Sequence, residues 1–179
     1  MVMMAVGCTM LKKDEGINIT LKLEREKLHL SSVLVFNLKE PQYAEGNGAY
    51  VGELFHVNLL KSKKFKVVSL YTNSPWSRLG ESEEERLMNA LEEGRNLKFD
   101  YILVGELKEF YYGGINKTRV KIKIRIIEVP TETTIFMADN YEEDMGKDPS
   151  YPMDTKLTNR SLDPKIVAER VVKELINKI

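Results

Sequence analysis

The sequence predicts one α/β domain of the α+β kind, a mixed β-sheet with helices packed mainly on one face. Three observations lead there. Short apolar runs, Val33-Leu34-Val35-Phe36 and Tyr101-Ile102-Leu103-Val104, have the composition of strands covered on both faces. Helix-period segments stand between the strands, giving the order strand, crossover helix, parallel strand. Later, the cations Lys117, Arg119, Lys121, Lys123 and Arg125 alternate with Val120, Ile122, Ile124 and Ile126 on the other face, as in a strand with one wet face.

The elements follow in order. Residues 1–16 read as a signal remnant and tether, and residues 17–179 as the single domain. Ile17, Ile19, Leu21 and Leu23 alternate with Asn18, Thr20, Lys22 and Glu24, which predicts a half-buried strand. The run at Val33–Phe36 ends at Glu40-Pro41. Gly46-Asn47-Gly48 opens a helix carrying Val51, Leu54, Phe55, Leu59 and Leu60 at helical spacing. Phe65 to Tyr71 returns as a strand. Ser82 and Glu85 have the spacing of a capping box, and Glu81, Glu83, Glu84 and Glu85 suit the positive end of the helix dipole. Leu87, Ala90, Leu91, Gly94 and Leu97 are expected to line that helix's apolar side. The strand from Asp100 runs on toward Tyr111-Tyr112, and Gly113-Gly114 turns a hairpin into the Lys117–Ile126 strand. Pro130 marks another turn before a strand over Thr133–Tyr141. A polar segment follows, and then Asp163 caps a last helix with Pro164 at its first position and Ile166, Val167, Val171 and Leu175 facing inward.

The chain's 179 residues suffice for one domain with a sizeable core. Its 27 basic and 27 acidic residues balance, so net charge points to neither nucleic acid nor a membrane surface. Gln42 is the only glutamine and Lys and Glu are abundant, a bias associated with proteins of hot environments. The one cysteine, Cys8, excludes an intrachain disulfide. It follows the apolar run Met1 to Gly7, with Ala5, Val6 and Gly7 directly before it, as in the cleavage site of a lipoprotein signal. Lipidation at Cys8 is therefore expected, with attachment to a bacterial membrane, the outer one favoured, through lipid alone. Without that modification the expected compartment is the cytoplasm.

Candidate sites are few. Gly46, Gly48 and Gly52 have a glycine-rich spacing between a strand and a helix. The loop is too long for a dinucleotide turn, and no acid ends the next strand to hold a ribose. His29 and His56 lie in different elements without partners at ligand spacing, so no zinc site or triad is expected. Asp139, Glu142, Glu143, Asp144 and Asp148 cluster, but without an EF-hand pattern, and read as a solvated acidic stretch. No paired acid and base or activated nucleophile stands out, so neither an enzyme nor a cofactor or metal is expected. Two candidates for partner binding remain. Lys117, Arg119, Lys121, Lys123 and Arg125 form a cationic strand face that cannot point into a core. Glu106 or Glu109 stands where it could neutralise that face from the neighbouring strand. Trp76, beside Pro75 in a loop, is the other.

From Val33 onward the layout resembles a family of bacterial envelope proteins. The family includes the curli secretion lipoprotein, the lipoprotein activators of penicillin-binding proteins, and the amino-terminal domain of TolB. The similar pieces are Val33–Phe36 before a glycine-opened helix at Gly48, then Phe65–Val68, then Phe99 to Gly105 ending in Val-Gly, and Ile124 to Val129 before a turn, with a helix closing the domain. The Pro130–Thr133 turn lacks the family's usual glycine, no propeller follows, and neither pore-forming hairpins nor a long proline-rich tether is present. The resemblance implies a non-enzymatic, lipid-anchored module that binds an envelope protein partner in assembly or secretion, with homo-oligomerisation allowed. The alternative is a soluble module for an anionic ligand, nucleic acid or polyanionic glycan, on the Lys117–Arg125 face.

Overall fold

The computed structural model describes residues 17–21, 25–72, 82–113, 117–144 and 161–179, with backbone alone for 17–21, 25 and 26. Among them the elements are β1 (Ile17–Leu21), α1 (Arg25–Leu28), β2 (Ser32–Phe36), α2 (Asn47–Ser62), β3 (Val67–Tyr71), α3 (Glu83–Asn96), β4 (Tyr101–Tyr112), β5 (Thr118–Glu128), β6 (Thr133–Asp144) and α4 (Pro164–Lys178). The six strands form one sheet in the order β1-β6-β5-β4-β2-β3. β2 pairs in parallel with β3 on one side and β4 on the other, so the crossover through α2 expected from the sequence is present and α3 makes a second. The other neighbours are antiparallel.

Two apolar layers hold the sheet. On one face α2 and α4 place Val51, Phe55, Leu59, Val167, Val171 and Leu175 against Val33, Val35, Leu103, Ile122, Ile124, Ile126 and Phe136. On the other face α3 sets Ala90 and Leu91 against Leu34, Phe36, Ile102, Val104, Ile127 and Val129. Alternate residues of β2 thus enter different layers, which is why its run is continuously apolar. α3 sits close because Gly94 has no side chain; a Cβ there would lie 2.8 Å from Ile102 Cγ2.

The caps behave as the sequence implies. Ser82 Oγ accepts from Glu85 N, and Glu85 returns a carboxylate to Ser82 N at 2.8 Å. Asp163 accepts from Lys165 N ahead of Pro164. Three inward assignments need correction. Leu60, Leu97 and Ile166 are 49%, 49% and 44% exposed. Leu97 is the C-cap, where the chain leaves the helical wheel. Ile166 stands in the first turn of α4, and its neighbours Val167 and Ala168 take the buried positions.

No helix among the described residues is long and apolar enough to cross a membrane. Cys8, the tether, Pro75, Trp76, Gly114 and Asp148 lie outside the described residues.

Candidate functional site

Arg119, Lys121, Lys123 and Arg125 occupy one side of β5, with Lys117 just ahead of it, while Val120, Ile122, Ile124 and Ile126 are buried on the other. Among the described residues α3 covers that cationic side near Ile127 and reaches Arg125 through Glu83. Toward the β4–β5 hairpin no described helix covers the face, and its composition is set by three adjacent strands. Register places Glu106 and Asp139 on either side of Lys123. Glu109 and Tyr141 flank Lys121, and Tyr111 and Glu143 flank Arg119. A row of cations therefore runs between two rows rich in acids and tyrosines.

A β-bulge makes this pattern possible. In an unbroken strand Glu106 and Glu109 would point to opposite faces. The register shift between Leu107 and Glu109 leaves Lys108 as the extra residue. After it, Phe110 joins Leu107 in the α2–α4 layer, and Glu109 and Tyr111 turn to the charged face.

Four of the five cations are engaged. Lys117 Nζ lies 2.6 Å from Glu143 Oε1, and Arg119 Nε donates to Glu143 Oε2 at 3.1 Å. Lys121 stands 3.9 Å from Asp139. Arg125 pairs with Glu83, at the first turn of α3, which stitches that helix to the sheet. Lys123 makes no ion pair among the described residues, but its two register neighbours are acids. Glu106 is itself shared by Lys108 at 2.5 Å and Lys39 at 3.8 Å.

Glu143 is the hub. Hydrogen bonding from Lys117 first, then from Tyr141, with the nearby cationic charge, holds its carboxyl down at about 2. Tyr141 donates its hydroxyl to Glu143. Partial burial first, and then that bond and the carboxylate charge, push the phenol up to about 12. Such a site keeps Glu143 ionised and Tyr141 neutral across the physiological range. It is built to stay charged and ordered, not to exchange protons.

The other sequence candidates resolve into structural roles. Glu40 carboxylate oxygens accept from the backbone amides of Gly46 and Gly48, at 2.8 Å for Gly46. An internal anion thus sits where a bound phosphate would be needed. Gly48 is small because α2 starts against the chain: a Cβ there would meet the Leu38 carbonyl oxygen at 2.1 Å. His29 Nδ1 donates to the Lys63 carbonyl at 3.0 Å. The acidic stretch disperses: Glu142 pairs with Arg170 at 3.3 Å, and Asp144 accepts from Leu162 N at 2.6 Å. No group of three or more His, Cys, Asp or Glu placed to hold a metal occurs among the described residues.

Glu83, Asp139, Tyr141 and Glu143 are residues that sequence reading left out of the site. Alternation in Thr133–Tyr141 marks the face Glu143 belongs to once the strand is continued to Asp144. Glu83 carries no local signal, since only the docking of α3 brings it to Arg125.

No protein-family model matches the chain, and no curated protein does. Solved structures do. The PelC dodecamer from Paraburkholderia phytofirmans is 15% identical, with a TM-score of 0.64 over 89% of this chain and 93% of that one. The hypothetical protein CT253 from Chlamydia trachomatis is 12% identical, with a TM-score of 0.53 over 83% and 95% of the two chains. LpoB from E. coli is 18% identical, with a TM-score of 0.43 over 63% and 59%; a likeness that weak adds nothing to the argument. At these identities PelC and CT253 speak for a shared α/β architecture, and no single protein is picked out by it.

Proposed function

We propose that the chain is a non-enzymatic, protein-binding module of the bacterial envelope, held to a membrane, the outer one favoured, by lipid on Cys8. The observation that carries the reading is the open half of the β4–β6 face. It offers cations already matched by acids, together with Tyr111, 51% exposed, and Tyr141. A charge-balanced, rigid surface with exposed tyrosines fits another protein, because it presents donors and acceptors of both signs with low-entropy aromatic anchors. A free polyanion would have to displace Glu143 and Asp139 from the same cations, so the anionic-ligand alternative has less support. The likeness to PelC, a dodecamer, adds that this architecture is used in an assembly elsewhere.

The test is fractionation of cells expressing the chain from its own genomic context, with mass analysis of Cys8, followed by photo-crosslinking from position 111. The expected result is a lipidated protein in the membrane fraction and one discrete crosslinked envelope protein, lost on Arg119→Ala. A soluble, unmodified protein, or crosslinking that Arg119→Ala leaves unchanged, counts against the reading.

A further inference from the structure

We infer that β3 is a self-pairing edge: two copies of this chain join β3 to β3, antiparallel, about a two-fold axis at Ser69. β3 is the terminal strand of the sheet, and no strand among the described residues pairs with its outer side. Exposed edges are ordinarily blunted by charged residues, proline or a bulge, because unpaired backbone groups recruit other strands. Val67–Tyr71, Val-Val-Ser-Leu-Tyr, contains no charge and no proline, and its pairing with β2 is unbroken by a bulge.

The sequence of this edge is complementary to itself. Antiparallel pairing centred on Ser69 sets Val67 opposite Tyr71 of the second copy, and Val68 opposite Leu70. Val67 is 46% exposed in the single chain. A β-branched residue facing an aromatic ring is a favourable cross-strand pair, and the two-fold makes it twice. Val68 and Leu70 already belong to the layer beneath α2, so the joint continues that layer from one copy into the next. Charge selects the direction. Lys64 and Lys66 precede the strand. Parallel pairing in register would set each beside its own copy, whereas the antiparallel arrangement sends them to opposite ends of the joint. The contact is isologous and therefore closes at two copies. It lies at the opposite edge of the sheet from β1, three strands removed from β5, and depends on neither Cys8 nor the charged face.

The experiment uses the full chain with Cys8→Ser, which removes its only cysteine. Sedimentation equilibrium is expected to show a monomer–dimer equilibrium. Ser69→Lys, which sets two cations face to face on the axis, is expected to raise the dissociation constant roughly ten-fold or more while circular dichroism and the thermal midpoint hold. Should Ser69→Lys disturb folding, oxidative crosslinking decides: Ser69→Cys is expected to give a covalent dimer, and Lys173→Cys, exposed on α4, is not. A monomer at every concentration overturns the inference. So does a dimer unaffected by Ser69→Lys in which Ser69→Cys crosslinks no better than Lys173→Cys.

Discussion

β4 and β5 each pass through two environments, and the contrast between them organises the molecule. At one end Ile102, Val104 and Ile127 are covered by α3 while Leu103 and Ile126 are covered by α2 and α4, so side chains on both faces are apolar. At the other end Val120 and Ile122 remain buried on one side, and Arg119, Lys121 and Lys123 meet water and acids on the other. Both strands run through the two ends, paired antiparallel throughout apart from the bulge at Lys108. What changes is cover, and the composition of each face follows it. A sheet face becomes charged where a helix stops, and the charges neutralise one another in the space the helix leaves.

The sharpest way to break this contrast is to remove volume from the doubly covered end. Phe36→Ala is expected to cost about 3–5 kcal/mol, and Lys121→Ala on the open face about 1 kcal/mol or less. Denaturant unfolding of both variants reads the difference, and similar losses would mean that the open face contributes far more than its geometry implies. Next in size is Gly48→Ala, where the new Cβ meets the Leu38 carbonyl rather than a movable side chain. A loss of roughly 1–3 kcal/mol is expected; a neutral result would mean that α2 shifts freely on the sheet. Ser82→Ala removes the cap that starts α3 beside Arg125, and about 1 kcal/mol should go with it. Arg125 signals in a nuclear magnetic resonance spectrum would report whether the stitch to Glu83 loosens at the same time.

The smallest expected effect is also the most specific to the open face. Glu143 has a folded-state value depressed from 4.5 to about 2. Its contribution is therefore fully present above about pH 4.5 and is lost as pH falls through the folded value near 2. The thermal midpoint of Glu143→Gln should lie below that of the unaltered chain at neutral pH, and the gap should close on acidification across that window. Tyr141 carries the opposite sign. Its value is raised from 10.0 to about 12, so its contribution is present below pH 10 and is lost as pH rises toward 12. A phenolate absorbance titration with one tyrosine appearing last, absent in Tyr141→Phe, checks it.

Much of the architecture was legible because local signals agree with the fold. The covered strand at Val33–Phe36, the Ser82–Glu85 box, the Asp163-Pro164 start and the Lys117–Ile126 alternation each carry a physical cause that acts within a few residues. Long-range placement was not legible. Nothing in Ile17–Leu21 says that it lies beside β6, since Ile17 pairs with Asn140. The position of α3 on the second face depends on which residues of β2 it meets. At the site, the cations were readable from alternation, but the acids that satisfy them depend on register. The bulge at Lys108 that turns Glu109 toward Lys121 leaves no glycine or proline in the sequence to announce it.

β1 gives the domain a mechanical weak point. Any pull applied on the amino-terminal side of Ile17 enters through this strand, which is paired to β6 over the short ladder from Ile17↔Asn140 to Leu21↔Phe136. The next two strands in the chain, β2 and β3, lie at the far edge of the sheet. Stretched from that side, the chain is expected to yield first at β1 and to pay out residues 17–27, a segment about 36–40 Å long when fully extended, before Leu28, buried in the main core, takes up the tension. The remaining five strands and the helices would stay folded through that extension. Were the chain held from that side, this segment would serve as an extensible leash, and the domain's reach would vary with force while the β4–β5 pairing stays intact.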